Sequence, residues 1–561
     1  MLPRTMVELP AGRISGSLLK AIVTSVRRTP ARHVVARVLR MQLGIDALGD
    51  LDPELRGPLR SAEPLRARQS HERPTQSLPL PPTQTWPRCV RSYASAFREG
   101  ELTVEELVER SLAGARFLAA RTPSVGPILD FDDERALQAA HRSMDRLARG
   151  EALGPLDGVV VAIKEEVRVA GLPCQVGTRH MSRTPADDDC ESVRRLRAAG
   201  AVIVGTTPMT EYGMSPLGGN VHRSMPRNPH DVSRLPGGSS SGSGVAVATG
   251  ITPLALGADG GGSIRIPACF NGVFGIKPTF GRIPTTGHGL TGGSTVVHLG
   301  PLGSSSHDLA VFLEACAGSD TGDPDSVQPL LDPGALTRAL GRGVSGLRIG
   351  IVESEWDDCA PAVARPAREA IAALERDGAQ IERVQLPLAK TAAAIGYLTI
   401  GLETFSALAG VRKHQMDELG LDLQLLLANL DTFRADDYLD AQRLRTTLRS
   451  QVADVLKHVD VLALPTTAIS APSVTDAEAS EGFVDPPALD GACRYAFLGN
   501  LSGCPAGTAP VGLDDAGLPV GLQIIGDAWD EACVLQVLAH LERMGVAKVR
   551  RPAFSMDLFE S

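Results

Sequence analysis

The sequence predicts an α/β fold, with helices and strands alternating around one large sheet and a helical extension in front of them. Three observations carry this. Apolar runs of strand length recur between segments of helical periodicity. The 561 residues are 43% hydrophobic and 22% charged, which suits a sizeable core. Residues 1–90 differ from the rest: the first forty carry eight Lys/Arg against one acidic residue, and a proline-rich stretch from Pro79 to Pro87 closes the segment like a linker.

In the extension, Leu18, Leu19, Ile22, Val23 and Val26, then Val34, Val35, Val38 and Leu39, are spaced for an amphipathic helical hairpin around Thr29-Pro30. This reads as an arm packed on the body or on a partner subunit, which leaves a homodimer open, rather than as a membrane-surface anchor. Thr103 and Glu106 make a capping box that opens a helix to about Ala120. A second helix covers Asp133 to Arg149, and the turn Gly154-Pro155-Leu156-Asp157-Gly158 delivers a buried strand, Val159 to Ile163. Lys164 stands where that strand ends. A helix over Glu191 to Ala199 precedes a strand from Ala201 to Val204. Further strands are predicted at Leu254 to Leu256, Leu347 to Val352, Val461 to Leu464 and Gly521 to Ile525.

Composition excludes several functions. A net charge of -9 offers no basic face for nucleic acid. Nine scattered cysteines include no C-x-x-C pair and read as small buried side chains in a reducing cytosol, a cytoplasmic location. The Ile14 to Val26 stretch is interrupted by Lys20, and the run after Arg27-Arg28 is broken by Arg37 and Arg40, so neither reads as an export signal. Asp187-Asp188-Asp189 reads as a solvated loop, and no metal or cofactor is expected.

Chemistry concentrates in two glycine-serine loops, Leu235-Pro-Gly-Gly-Ser-Ser-Ser-Gly-Ser-Gly244 and Gly257-Ala-Asp-Gly-Gly-Gly-Ser-Ile-Arg-Ile-Pro267. They flank the apolar segments Val245 to Ala248 and Leu254 to Leu256, unlike flexible linkers, which are polar throughout. Neither loop has the lysine of a P-loop or the spacing of a dinucleotide fingerprint. Gly238-Ser-Ser-Ser-Gly242 satisfies the G-x-S-x-G elbow, but among His288, His298, His307 and His414 none has a context that nominates it as the partner. Ser17-Leu-Leu-Lys20 matches S-x-x-K without its companion motifs.

Both loops closely resemble the signature of the amidase signature family, and Val159 to Val167 is similar to that family's lysine strand. The resemblance runs from about residue 90 to 545. It includes Arg227-Asn228-Pro229, Asp460-Val-Leu-Ala-Leu-Pro-Thr466, Asn500-Leu-Ser-Gly-Cys-Pro505 and Gly517-Leu-Pro-Val-Gly-Leu-Gln523. It implies a large central mixed sheet flanked by helices, in a catalytic domain over residues 91–550. It also implies an amidase that hydrolyses a small-molecule carboxamide: Ser263 as nucleophile, Ser239 as a bridging serine on a cis peptide bond, Lys164 as base. Residues Gly260, Gly261, Gly262 and Ser263 would supply the oxyanion hole, with Ser240, Asp259 and Arg265 supporting the loop.

This assignment is chemically coherent. A serine hydroxyl needs a base within reach, and a lysine serves as base when burial lowers its pKa. Taken alone, Lys164 reads better as an ion-paired lysine beside Glu165 and Glu166; the serine loops turn the reading toward the base. Three departures from the family pattern stand out: Ser241 where glycine is usual, Glu165 where aspartate is commoner, and Gly260 in place of a threonine or isoleucine. Ser241 raises the question of φ beside the bridging serine. The same three residues would serve an amide-forming acyltransferase or the ammonia-producing subunit of a glutamine-dependent amidotransferase, the latter disfavoured by the basic extension; the presence of all three disfavours an inactive binding protein. The segments 392–436 and 215–225 are expected to shape the acyl pocket. Leu398, Ile400, Leu402, Phe405 and Leu408 hint at an acyl group larger than acetyl, although Leu398, Leu402 and Phe405 have the spacing of a core helix.

Overall fold

The computed structural model describes residues 13–560 apart from 28, 61–62, 68–75, 84–85, 291–293, 327–328 and 330. Its strands, in chain order, are β1 (Ile14–Ser15), β2 (Asp130–Phe131), β3 (Val160–Lys164), β4 (Val202–Thr207), β5 (Leu254–Asp259), β6 (Phe274–Lys277), β7 (His298–Gly303), β8 (Arg348–Ile351), β9 (Gln380–Arg383), β10 (Val461–Pro465), β11 (Phe483–Val484), β12 (Ala506–Leu513) and β13 (Pro519–Gly526). Eleven of them form one mixed sheet in the order β2-β4-β3-β5-β7-β6-β12-β13-β10-β8-β9. The large mixed sheet flanked by helices is therefore present.

Every residue of β3, Val-Val-Ala-Ile-Lys, is buried, as in strands covered on both faces. It runs parallel to β4 and β5, with Ile163 opposite Leu256. Lys164 thus ends level with Gly257, one residue short of Ala258. The helix Val104–Ala119 is closed by the expected box: Glu106 N donates to Thr103 Oγ1 at 3.1 Å, and Thr103 N donates to Glu106 Oε2 at 2.8 Å. Asp133–Ala148 and Glu191–Ala198 follow as expected.

The extension packs on the chain's own body. Helices Gly16–Val26 and Thr29–Gln42 lie against each other and against the helix Leu421–Leu430, burying Leu19, Val23, Val26 and Leu39 with Leu425. Thr29-Pro30 opens the second helix instead of forming the turn, a placement that suits a proline lacking its N–H. β1 pairs antiparallel with β11, and Arg13 clamps the pairing through Asp485 at 2.9 Å and Glu478 at 3.1 Å. The proline-rich stretch also lies on the body: Leu78 N donates to Gly341 O at 2.6 Å and Arg543 Nε to Pro79 O at 2.8 Å. Asp188 and Asp189 of the acidic loop pair with Arg168 and Arg197 at 2.9 and 3.0 Å. Among the described residues, no helix is long and apolar enough to cross a membrane.

Candidate active site

The parallel strands β3 and β5 end side by side, and the loop 237–240 enters between their ends before the helix Ser241–Ala248. This convergence at the carboxyl ends of strands is where open α/β sheets carry their sites. The peptide bond Gly238–Ser239 is cis. Lys164 Nζ donates to Ser239 Oγ at 2.7 Å and to Ala258 O at 3.3 Å, and Glu166 Oε1 lies 2.5 Å from it. An ammonium has three protons, and three acceptors surround this one. The ion pair weighed as an alternative for Lys164 thus coexists with the serine bond. Lys164 is 1% exposed, and burial pulls its pKa below the ordinary lysine value against the attraction of Glu166 and Asp259.

β5 ends in Asp259, whose carboxylate organises the second loop. It accepts from Gly262 N at 2.7 Å and Ile264 N at 3.1 Å, and it takes Arg265 bidentately, Nε at 3.0 Å and Nη2 at 2.9 Å. Asn500 Nδ2 adds a bond of 2.9 Å, and Arg265 Nη1 also reaches Ala496 O at 2.9 Å and Gln523 Oε1. Burial would raise the Asp259 pKa, but Arg265 and these donors hold it well below the carboxylate range. The Asn500 and Gln523 motifs of the sequence meet here.

The glycines of the loop leave no room for side chains. Gly262 has φ of 112°, a conformation glycine adopts readily. A Cβ on Gly261 would meet the Phe497 ring at 2.6 Å, and one on Gly260 would meet Ile400 Cδ1 at 2.6 Å. Ile400 therefore fills the space next to Gly260, the position where a larger residue is commoner. Ser241 is the first residue of its helix with no left-handed φ, so the backbone beside Ser239 is undisturbed. Its Oγ is buried without a hydrogen-bond partner.

One expectation needs correction. The N–H of Gly262 is taken by Asp259, so it is not aimed at an oxyanion. Among the described residues, no hydrogen bond engages the N–H groups of Gly260, Gly261 or Ser263. Ser240 ties the two loops, its N donating to Ser263 O at 3.3 Å and its Oγ to Ala258 O at 3.3 Å. Lys164 and Ser239 are buried, whereas Ser263 is part-exposed and its hydroxyl is held by no hydrogen bond among the described residues.

The structure brings Lys164 to Ser239, the Ser240 N–H to the Ser263 carbonyl, and Asp259 to Gly262 and Arg265. Sequence reading missed the roles of Asn500 and Gln523, which it quoted only as motif members, and it missed the contact of Glu166 with His288. Glu166 Oε2 lies 3.6 Å from His288 Nε2, and Glu165 turns away to Arg223 at 2.5 Å. Burial raises Glu165 to about 7 despite that arginine. Burial also pushes Glu166 up, but the Lys164 ammonium first, with His288 beside it, outweighs this and holds the group at about 2.

A family model described as Amidase matches residues 107–535. A fatty acid amide hydrolase of Oryza sativa subsp. indica is 32% identical over 487 residues, 86% of this chain and 80% of that protein. A glutamyl-tRNA(Gln) amidotransferase subunit of Chloroflexus aggregans is 35% identical over 485 residues, 82% of this chain and 96% of that one. The solved peptide amidase of Stenotrophomonas maltophilia superimposes with a TM-score of 0.71 at 27% identity, covering 85% of this chain and all of that structure. With a match that spans both serine loops and the lysine strand, the chain belongs to the amidase signature family and is an amidohydrolase acting on the C–N bond of carboxamides.

Proposed function

We propose that Ser263 attacks the carbonyl of an amide whose acyl group is long and apolar. One observation carries the substrate class. An apolar cluster separate from the main core, including Met209, Tyr212, Met214, Leu290, Leu402 and Phe405, abuts the catalytic pair. The position that a Gly213 Cβ would take is 3.4 Å from Ser239 Oγ and 3.8 Å from Met209 Cε. Several of these side chains are only part-buried, an apolar wall that a hydrocarbon chain would cover. Along the helix Ala392–Ala407, Leu398 belongs to the main core, Leu402 packs on both clusters, and Phe405 packs on the second, joined by Leu408 just beyond the helix. The likeness to proteins named fatty acid amide hydrolase supports the same reading.

In this mechanism the Ser263 proton passes to Ser239 Oγ while Ser239 gives its own to neutral Lys164, and the Ser263 Oγ–carbon bond forms. The free N–H groups of Gly260, Gly261 and Ser263 are the donors for the oxyanion, each worth about 3–4 kcal/mol in the transition state. The proton returns through Ser239 to the leaving nitrogen, the C–N bond breaks, and water hydrolyses the acyl-enzyme by the same relay.

The test is a series of primary amides of lengthening acyl chain, assayed on the wild type and Ser263→Ala. The expected outcome is kcat/KM rising with chain length and loss of turnover in the variant. Preference for acetyl, aryl or peptide amides would overturn the substrate class, and persistent activity in Ser263→Ala the nucleophile. The likeness to an amidotransferase subunit favours a second reading, ammonia supply to a partner. Turnover of a simple amide by the purified chain alone counts against that, and product partitioning with added amine tests acyl transfer.

We further propose a cytoplasmic enzyme, supported by nine free cysteines, eight of them buried. An extension over residues 1–90 before a catalytic domain over residues 91–550 is supported by the position of the family match and of all strands of the large sheet. The homodimer that the sequence left open is tested by light scattering.

A further inference from the structure

The proposed relay needs Lys164 as a neutral amine, yet a buried carboxylate lies 2.5 Å from its nitrogen. Glu166 stands on the turn after β3, and its backbone is fixed from outside: Gly289 N donates to Glu166 O at 2.6 Å, and Val167 bridges to His288. The same loop presents His288, 5% exposed, to the far oxygen of the carboxylate. His288 Nδ1 accepts from Leu290 N at 3.3 Å, so the neutral ring carries its proton on Nε2, the atom facing Glu166. That Nε2 is buried and has no hydrogen-bond partner within bonding distance. Lysine, carboxylate and imidazole thus stand in line behind Ser239.

We infer that Glu166, backed by His288, is a positioning residue that sets the pH at which Lys164 becomes a base, an inference that rests on the reading of Lys164 as the base of the relay. Among the described residues Glu166 makes no hydrogen bond to Ser239 or Ser263; it acts through the lysine. Its charge favours the ammonium, and an ammonium cannot accept the Ser239 proton. Hydrolysis therefore begins as the pair loses its shared proton, and the acid limb of the rate profile is the titration of the pair. Sign follows from charge. Replacing the carboxylate by an amide withdraws support from the ammonium, so Lys164 gives up its proton at lower pH and the limb moves down.

The other groups around the pair act in known directions. Asp259, beyond Ala258, also favours the ammonium. Glu165 lies on the other side and is paired with Arg223. The Cys174 thiol is pushed up to about 12 by burial and by both carboxylates, so it stays protonated throughout.

The experiment measures two pH profiles, kcat/KM for an amide and the rate of Ser263 labelling by a fluorophosphonate, in the wild type, Glu166→Gln and Lys164→Ala. The expected result is an acid limb displaced downward in Glu166→Gln by about 1–3 pH units in both profiles, with a native circular dichroism spectrum. A folded Glu166→Gln protein with the wild-type limb overturns the inference. If Glu166→Gln fails to fold, Glu166→Asp carries the test: retaining the charge at a shorter reach, it moves the limb down by less, and an unmoved limb overturns the inference. Full activity in Lys164→Ala would instead remove the reading on which it rests.

Discussion

Asp259 and Arg265 face each other with no exposed side-chain surface on either, so each charge depends on the other. Asp259→Asn keeps the volume but leaves a buried guanidinium uncompensated. The expected cost is about 3–5 kcal/mol, read as a lowered denaturation midpoint; an unchanged midpoint would show that Asn500 and Gln523 suffice for the arginine. At Gly261 the issue is space. Gly261→Ala sets a methyl into the Phe497 ring and displaces the N–H proposed as an oxyanion donor. Turnover should fall, by up to about 10²–10³-fold if the donor is lost, and Phe497→Leu in the same chain should restore part of it. The meeting of Lys164 with Ser239 was legible because each stands in a distinctive run of neighbours. The Glu166–His288 approach was not, because two backbone contacts between distant segments create it and neither segment shows it alone.

Among the elements, strands with an ordinary apolar run were legible, and those rich in glycine and proline were not. β7 reads His-Leu-Gly-Pro-Leu-Gly and β12 Ala-Gly-Thr-Ala-Pro-Val-Gly-Leu, compositions that suit loops; strand neighbours on both sides impose the conformation. β2 and β9 are short edge strands with little to distinguish them from turns. The hairpin was legible as a pair of amphipathic helices, but its apolar stripe is wider than the surface it covers: Leu19 is fully buried while neighbouring Leu18 is 58% exposed and Val34 67%. Leu19→Ala should therefore cost about 2–5 kcal/mol in the stability of this element, and Leu18→Ala almost nothing. The ratio of protease cleavage rates within residues 13–45 for the two variants measures this, and equal rates would contradict the packing.

At the scale of the whole molecule, the large sheet brings one lysine strand, two loops and a later histidine loop to one place. The cysteines test its closure. Eight of nine are buried, and Cys174, part-exposed, is held protonated. Titration with Ellman's reagent under native conditions should find at most one thiol and that one slow, against all nine after unfolding; several fast native thiols would mean a looser body than described. The pairing of β1 with β11 bears on synthesis as well. The ribosome delivers the hairpin first, but the helix and strand that receive it, Leu421–Leu430 and Phe483–Val484, are translated some four hundred residues later. At about 5–20 residues per second, Leu19, Val23 and Val26 wait on the order of 20–80 s for their partners. Throughout that interval these apolar side chains stand on the nascent chain without the surface that later buries them.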